Sequence, residues 1–138
     1  MIRLILIILL SFNLYSNSQM PGFLIDKDQV LPANEAFNFK AAINDETILL
    51  SWEIKKGYYI YLKSIKIEDN FKELDYEVVE SQESIHMDEF FGESKIYRNK
   101  TLVKLNRSSE LNPNNILIKY QGCADAGFCY PVQIHKIL

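Results

Sequence analysis

The chain has two cysteines, Cys123 and Cys129, and both lie in the stretch YQGCADAGFCYP, Tyr120–Pro131. Two sulfurs at this spacing can make a structural staple, contribute to a metal site, or work as an exchangeable redox pair. As a staple the bond would be weak, because loop-closure entropy gives about 2.4 kcal/mol for a loop of about 7 residues, against about 4.7 for a loop of 100. Metal binding is disfavoured by ligand count: C-x5-C is not a usual zinc spacing, and His86 and His135 are the only histidines that could complete a site. Nor is the spacing the C-x-x-C of a thioredoxin active site. The exchangeable reading draws on the neighbours, since Gly122, Ala124, Ala126 and Gly127 leave the sulfurs uncrowded and an attacking thiolate must line up with the S–S bond. Small residues also suit a tight turn. Spacing and neighbours therefore leave the staple and the exchangeable pair both open.

A lasting disulfide requires an oxidising compartment, and the N-terminus provides the route to one. MIRLILIILLSFNLYSNSQ has a positive charge at Arg3, an apolar run from Leu4 to Leu10 and a small, polar stretch at Ser16–Ser18, the order of a secretory signal peptide. The run falls well short of the about 20 apolar residues that span a bilayer. The expectation is cleavage after Ser18, giving a signal peptide of residues 1–18 and a soluble domain of residues 19–138 in a bacterial periplasm, with no stable membrane insertion. No cysteine near that point can accept a lipid anchor. The full chain carries 15 Lys and Arg against 18 Asp and Glu, a net charge of -3. Loss of Arg3 makes the remainder slightly more acidic, and without a basic run it suits neither nucleic acid nor an anionic membrane surface.

The elements that must position the cysteines follow from the period of the apolar residues. Phe37, Phe39, Ala41 and Ile43 alternate with their neighbours, as do Ile48, Leu50, Trp52 and Ile54, and each set reads as a strand with one buried face. Further short β-type runs are Tyr58–Leu62, Ile65–Ile67, Tyr76–Val79, Thr101–Leu105, Ile116–Tyr120 and Val132–Ile137. Turn-formers separate them at Lys55-Lys56-Gly57, Asp69-Asn70 and Asn112-Pro113-Asn114-Asn115. No long stretch has helical periodicity. About seven or eight short strands in one domain of this size predict an all-β fold, an immunoglobulin-like antiparallel β-sandwich with Trp52 in its core. Runs 116–120 and 132–137 flank the cysteines, so the simplest geometry is a hairpin with Cys123 opposite Cys129, within disulfide reach. Tyr59 and Tyr61, two apart on a strand, share one face.

These residues match a known pattern. YQGCADAGFCYP resembles the active-site segment of the N-terminal periplasmic domain in the DsbD family of thiol:disulfide interchange proteins. WEIKKGYYIYLKSIKI, Trp52–Ile67, is similar to that domain's Gly-Tyr-Tyr-x-Tyr strand region, and DEFFGESKIYR, Asp88–Arg98, to its cap loop. The likeness runs from about Gln29 to Leu138. It implies an immunoglobulin-like sandwich whose cysteine pair takes electrons from a thioredoxin-like donor domain and passes them to periplasmic disulfide isomerases or similar thiol proteins. Exchange would be direct, with no cofactor and no metal. Cys129 would form the mixed disulfide with partners and Cys123 would resolve it.

The resemblance also assigns expectations to the surrounding residues. Phe90, with Phe91 beside it and Gly92 as a flexible point, would cap the disulfide until a partner displaces it. Asp88 and Glu89 would lie near the thiols, where a carboxylate raises the thiol pKa and keeps the reduced pair quiet. Tyr59 and Tyr61 would pack beside the disulfide, and Phe128 would touch the incoming partner. Leu62 and Val132 depart from residues common in the family, arginine and proline, and imply altered partner preference rather than lost chemistry. Family proteins continue into a multi-spanning membrane domain and a C-terminal thioredoxin-like domain. This sequence ends at Leu138 without either, so the expectation is a separate membrane electron donor, or a chain that is a fragment of a longer product. The competing reading is an exported binding module with the same sandwich and a purely structural disulfide.

Overall fold

The structure, a computed structural model, describes residues 30–108 and 110–137. The segment read as a signal peptide, residues 1–18, lies outside them. β1 (Phe37–Ile43) and β2 (Thr47–Ile54) form a hairpin whose turn is closed by Asn44: its Oδ1 accepts the amides of Glu46 and Thr47 at 3.0 and 2.6 Å. This is the local side-chain-to-backbone bonding that makes asparagine a turn residue. The alternation in β2 is realised in full, with Ile48, Leu50, Trp52 and Ile54 all buried. In β1 it is partial: Phe37 is buried, Phe39 and Ile43 pack against the core, and Ala41 is exposed.

After Gly57, whose φ of +87° makes the turn, come β3 (Tyr58–Tyr61), β4 (Lys66–Asp69), β5 (Lys72–Glu73), β6 (Glu77–Asp88), β7 (Gly92–Asn106), β8 (Ile116–Tyr120), β9 (Gly122–Ala124), β10 (Phe128–Cys129) and β11 (Gln133–Lys136). Two antiparallel sheets result, the sandwich that the strand pattern predicts. The larger has the order β1-β2-β7-β3-β9-β10 with β6 also paired to β7, and the smaller has the order β11-β8-β4-β5. Trp52, Tyr97, Tyr120, Phe37, Ile67 and Ile118 are among the fully buried side chains of the core.

The largest departure from the sequence reading lies at residues 76–106. Two short runs and a loop, Asp88–Arg98, were expected there. Instead β6 and β7, 12 and 15 residues long, form one extended hairpin, with only Glu89–Phe91 between them. Outside Thr101–Leu105, whose alternate residues are buried, the segment has little of a buried apolar face to betray a strand, because most of β6 is solvent-exposed. Backbone pairing and cross-strand ion pairs support it, with Glu77 on Lys104 at 2.9 Å, Glu80 on Lys100 at 2.8 Å and Glu83 on Lys95 at 2.7 Å.

The two cysteine-flanking runs pair as expected, Gln133 opposite Tyr120, but in the smaller sheet, whereas β9 and β10 between them belong to the larger. The chain thus changes sheets at Gln121 and returns after Tyr130. Ser64 fastens the first crossing: its Oγ accepts the Gln121 amide at 2.9 Å and sits 2.7 Å from the Tyr61 carbonyl oxygen.

Candidate functional site

Strand alternation divides β3 between two clusters. Tyr58 and Ile60 enter the main core, while Tyr59 and Tyr61 join Ile96 and Cys123 in a second, smaller cluster on the outer face of the larger sheet, with Cys129 packed against it. Cys123 is opposite Tyr59 on one side and Cys129 on the other. The cysteines are bonded to each other, with Cα atoms 4.1 Å apart. The two sulfurs are not equivalent. Cys123 is fully buried within β9, an inner strand, whereas Cys129 is partly exposed on β10, a two-residue edge strand paired to β9.

The small residues around the pair serve the fold more than access. A Cβ on Gly122 would meet Phe37 Cζ and Cε1 at 2.4 and 2.6 Å and the Tyr59 carbonyl oxygen at 2.7 Å, so only glycine fits between β3 and the core. Ala124 is buried in the same core. Gly127, at φ +86°, closes the turn back to Cys129, its amide donating to the Ala124 carbonyl at 3.0 Å.

The second cluster is roofed by the far end of the β6–β7 hairpin. Asp88, the last residue of β6, uses its two oxygens in two directions. Oδ1 accepts the amides of Phe90 and Phe91 at 2.9 and 2.8 Å and so shapes the hairpin tip, which Gly92 ends at φ +66°. Oδ2 accepts the Tyr59 hydroxyl at 3.2 Å and, more closely, the Tyr61 hydroxyl. Burial works against this carboxylate, but the bonds from Tyr61, the two amides and Tyr59 outweigh it and hold its pKa below the usual value. Burial, with the carboxylate as neighbour, pushes both tyrosine hydroxyls up, so they stay protonated.

Tyr61 connects this carboxylate to the sulfurs. Its oxygen lies 3.5 Å from Cys123 Sγ and 3.9 Å from Cys129 Sγ. The hydroxyl has one proton and donates it to Asp88, so lone pairs are what it offers the sulfurs. A thiol can donate to such an oxygen, whereas a thiolate facing it is disfavoured.

Of the residues singled out in the sequence, Cys123, Cys129, Tyr59, Tyr61 and Asp88 come together in one bonded group. Phe91 packs edge-on against the Tyr61 ring, centroids 4.8 Å apart. Phe90 contributes its amide to Asp88, and its side chain is about half exposed. Glu89 is an exposed tip residue. Phe128 packs edge-on against Tyr130 at 4.9 Å and keeps partial exposure. Three neighbours were not singled out: His86, its ring 4.5 Å from that of Tyr59; Arg98, whose guanidinium stands 5.1 Å from the Tyr59 ring centroid; and Asp125, which Arg98 grips. The alternation of a strand would have placed His86 on the face of Asp88, and Arg98 closes the quoted segment DEFFGESKIYR.

Beside Tyr61 and Phe91 opens a cleft of about 570 Å³, walled also by Ile85, Lys63, Lys95 and Gln121. Ile85 and Met87 on β6, with Phe90 and Phe91 at the tip, form an exposed apolar rim at this end of the molecule. Among the described residues no group of three or more His, Cys, Asp or Glu side chains could hold a metal ion, and no helix is long and apolar enough to cross a membrane.

Comparisons with known proteins bear on this site. A family model described as thiol:disulfide interchange protein DsbD, N-terminal, matches residues 27–138. A thiol:disulfide interchange protein DsbD from Citrobacter koseri is 40% identical over 111 residues, which are 80% of this chain and 19% of that protein. One from Photorhabdus laumondii is 40% identical over 119 residues, 86% of this chain and 20% of that protein. The chain thus spans about a fifth of the length of these relatives. Among solved structures, the DsbD N-terminal domain of Neisseria meningitidis in its reduced form superposes with a TM-score of 0.66 at 27% identity, over 78% of this chain and 86% of that one. The complex between the DsbD and PilB N-terminal domains of Neisseria meningitidis matches with a TM-score of 0.60 at 27% identity, over 80% of this chain and 88% of that one.

Proposed function

The chain belongs to the family of the N-terminal domain of the thiol:disulfide interchange protein DsbD, and from that premise we propose that it is a periplasmic thiol:disulfide exchange module working through Cys123 and Cys129. One observation carries the reading: the disulfide joins a fully buried sulfur to a partly exposed one on a two-residue edge strand. A bond built for stability has no need of that asymmetry, whereas exchange needs one sulfur that a partner can reach.

The module takes electrons from a thioredoxin-like donor domain of a separate or continuing membrane protein and passes them to periplasmic disulfide isomerases or similar thiol proteins. In the charging step a donor thiolate attacks Cys129 Sγ, the S–S bond breaks, and its electron pair goes to Cys123, which takes up a proton. The donor's second thiolate then displaces Cys129, leaving two thiols here and a disulfide in the donor. In the discharging step Cys129, as thiolate, attacks the partner's disulfide, and Cys123 then attacks Cys129 Sγ to release the partner reduced. No cofactor or metal enters the sequence.

Tyr61 and Asp88 govern the interval between these steps. With the Tyr61 proton committed to Asp88, both cysteines favour the thiol form and the loaded module is quiet. The rings of Tyr59 and Tyr61 and the hairpin tip shield the pair. Both tip phenylalanines lie on the exposed rim, and Phe91 is the one whose ring packs on Tyr61, so Phe91 shares the cap role expected of Phe90. Docking on the rim of Ile85, Met87, Phe90 and Phe91 would lift the tip and, through Asp88, release the Tyr61 proton toward the sulfurs. Phe128 adjoins Cys129 on the other side, and Glu89 contributes charge at the tip.

The test is a redox titration of residues 19–138 together with trapping by Cys123→Ala. Structural disulfides lie below about -300 mV, and exchangeable ones lie higher. The expected result is an exchangeable potential and a mixed disulfide through Cys129. A potential in the structural range with no trapped species would establish the purely structural disulfide instead.

A further inference from the structure

In the oxidised protein the S–S bond itself holds β10 against β9, but during turnover that bond is broken. Cys123 then remains fixed, because β9 is paired to β3 across Tyr58–Ala124, Tyr59–Cys123 and Ile60–Gly122. Cys129 does not share that support. Its strand has two residues and a single neighbour, and its position depends on the turn Asp125–Gly127 and on the amide of Tyr130, which donates to the Gly122 carbonyl at 3.0 Å.

Asp125 lies in that turn and is held from outside the hairpin. Both terminal nitrogens of Arg98 donate to its carboxylate, Nη2 to Oδ1 at 2.8 Å and Nη1 to Oδ2 at 3.1 Å, the two-pronged geometry that gives arginine its directional grip. The Asp125 amide donates to the Gly57 carbonyl at 2.8 Å. Arg98 is itself aimed by a distortion of β7. Between the pairs Ser81–Thr101 and Glu83–Tyr97, the single residue Gln82 of β6 faces three residues of β7, Arg98, Asn99 and Lys100, and Asn99 sits at φ +59°. A bulge of this kind re-aims a side chain. Here it carries the guanidinium over the face of Tyr59, within 3.4 Å of the Tyr58 carbonyl oxygen and onto the turn.

We propose that Arg98 is a positioning residue for the cysteine pair: by gripping Asp125 it keeps the turn between the two cysteines in place when the disulfide is open, so that the two thiols stay within bonding distance. The inference rests on the exchange reading above. Its thermodynamic consequence has a definite sign. The oxidised hairpin is always closed and benefits fully from the grip, while the reduced hairpin benefits only in the fraction that stays closed. Removing the grip therefore costs the disulfide form more than the dithiol form and lowers the effective concentration of one sulfur at the other.

The experiment measures the equilibrium of residues 19–138 with defined mixtures of reduced and oxidised glutathione, for the natural protein and for Arg98→Gln, Arg98→Lys and Asp125→Asn. The pair is only partly screened from solvent, at 28% and 47% side-chain exposure, so the expected change is about 3- to 10-fold toward the dithiol. That is about 14–30 mV less negative, at 29.6 mV per tenfold for two electrons. Gln and Asn should give equal shifts that do not add in the double variant, and Lys, which keeps the charge but not the fork, should recover part of the loss. Asp125→Asn changes only an exposed turn side chain and so keeps the test readable should Arg98→Gln fold poorly. Unshifted constants in Asp125→Asn and Arg98→Lys, or a lowered melting temperature with no change in the redox equilibrium, would overturn the inference. If the natural protein instead proves unreactive toward partners and has a structural potential, the exchange reading fails, and the ratio of constants still reports whether the grip exists.

Discussion

Replacing Gly122 with alanine separates two accounts of the small residues around the cysteines. If glycine is there to let a partner approach, Gly122→Ala should slow exchange and leave stability nearly unchanged. The geometry leads to the opposite expectation. The new Cβ would fall 2.4 and 2.6 Å from two ring atoms of Phe37 and 2.7 Å from a backbone oxygen of β3. Phe37 cannot swing aside, because its ring is wedged edge-on against Tyr58, Tyr120 and Tyr130 at 6.1, 6.0 and 5.2 Å. The Tyr59 carbonyl belongs to the strand paired with Gly122 and cannot retreat without opening that pairing. With no flexible neighbour to yield, the cost falls at the upper end of the range for overpacking, about 3 kcal/mol. For a domain of this size that corresponds to a fall of about 12 °C or more in melting temperature. Thermal unfolding followed by circular dichroism, on oxidised and on reduced protein, makes the measurement. Phe37→Leu removes the clashing ring atoms, so the double variant should lose less than the sum of the single losses. A loss below about 1 kcal/mol, or additive losses, would refute the packing argument and return Gly122 to the role of access.

Three further outcomes follow from the site. Phe91→Ala should let small thiols reduce the disulfide several-fold faster, while Phe90→Ala should change the rate little; stopped-flow reduction by dithiothreitol compares them, and a larger effect at Phe90 would move the cap back to that ring. The Asp88 pKa is held below its ordinary 3.8 in the folded protein, so its contribution to stability is present above about pH 4 and is lost as pH falls through the folded value. Asp88→Asn should therefore lower stability at pH 7 and flatten its decline below pH 4, as read from urea unfolding at several pH values. His135, between the rings of Phe39 and Tyr120 and 3.2 Å from the Tyr120 hydroxyl, is pushed by burial below its ordinary 6.5. Its neutral form is favoured by folding, so stability should fall as pH drops below about 6.5, and His135→Gln should remove that slope; an unchanged slope would place the titrating group elsewhere.

Much of the architecture was legible because its physical cause is local. Period-two burial marked β2 from Ile48 to Ile54, and Asn, Gly and Pro marked most turns. The expected facing of Cys123 and Cys129 is realised in β9 and β10, although the runs that flank them pair in the other sheet. The β6–β7 hairpin was not legible over most of its length, because its stability comes from inter-strand bonds and ion pairs rather than from burial, and so its composition reads as a loop. The tip that the resemblance names as a cap is an ordered turn, shaped by one oxygen of Asp88.

The sequence alone determined that two sulfurs, two tyrosines on one strand face and an acidic, aromatic segment exist in this order, and residue chemistry limits what they can do. It could not determine that Cys123 is fully buried and Cys129 only partly, that the Tyr61 hydroxyl donates its hydrogen bond to Asp88 and turns its lone pairs to the sulfurs, or that Phe37 leaves room only for glycine at position 122. Each of these depends on which strand becomes the sheet edge and on where the chain crosses between sheets. Contacts between residues 27 to 85 positions apart fix these features, and no local pattern records them.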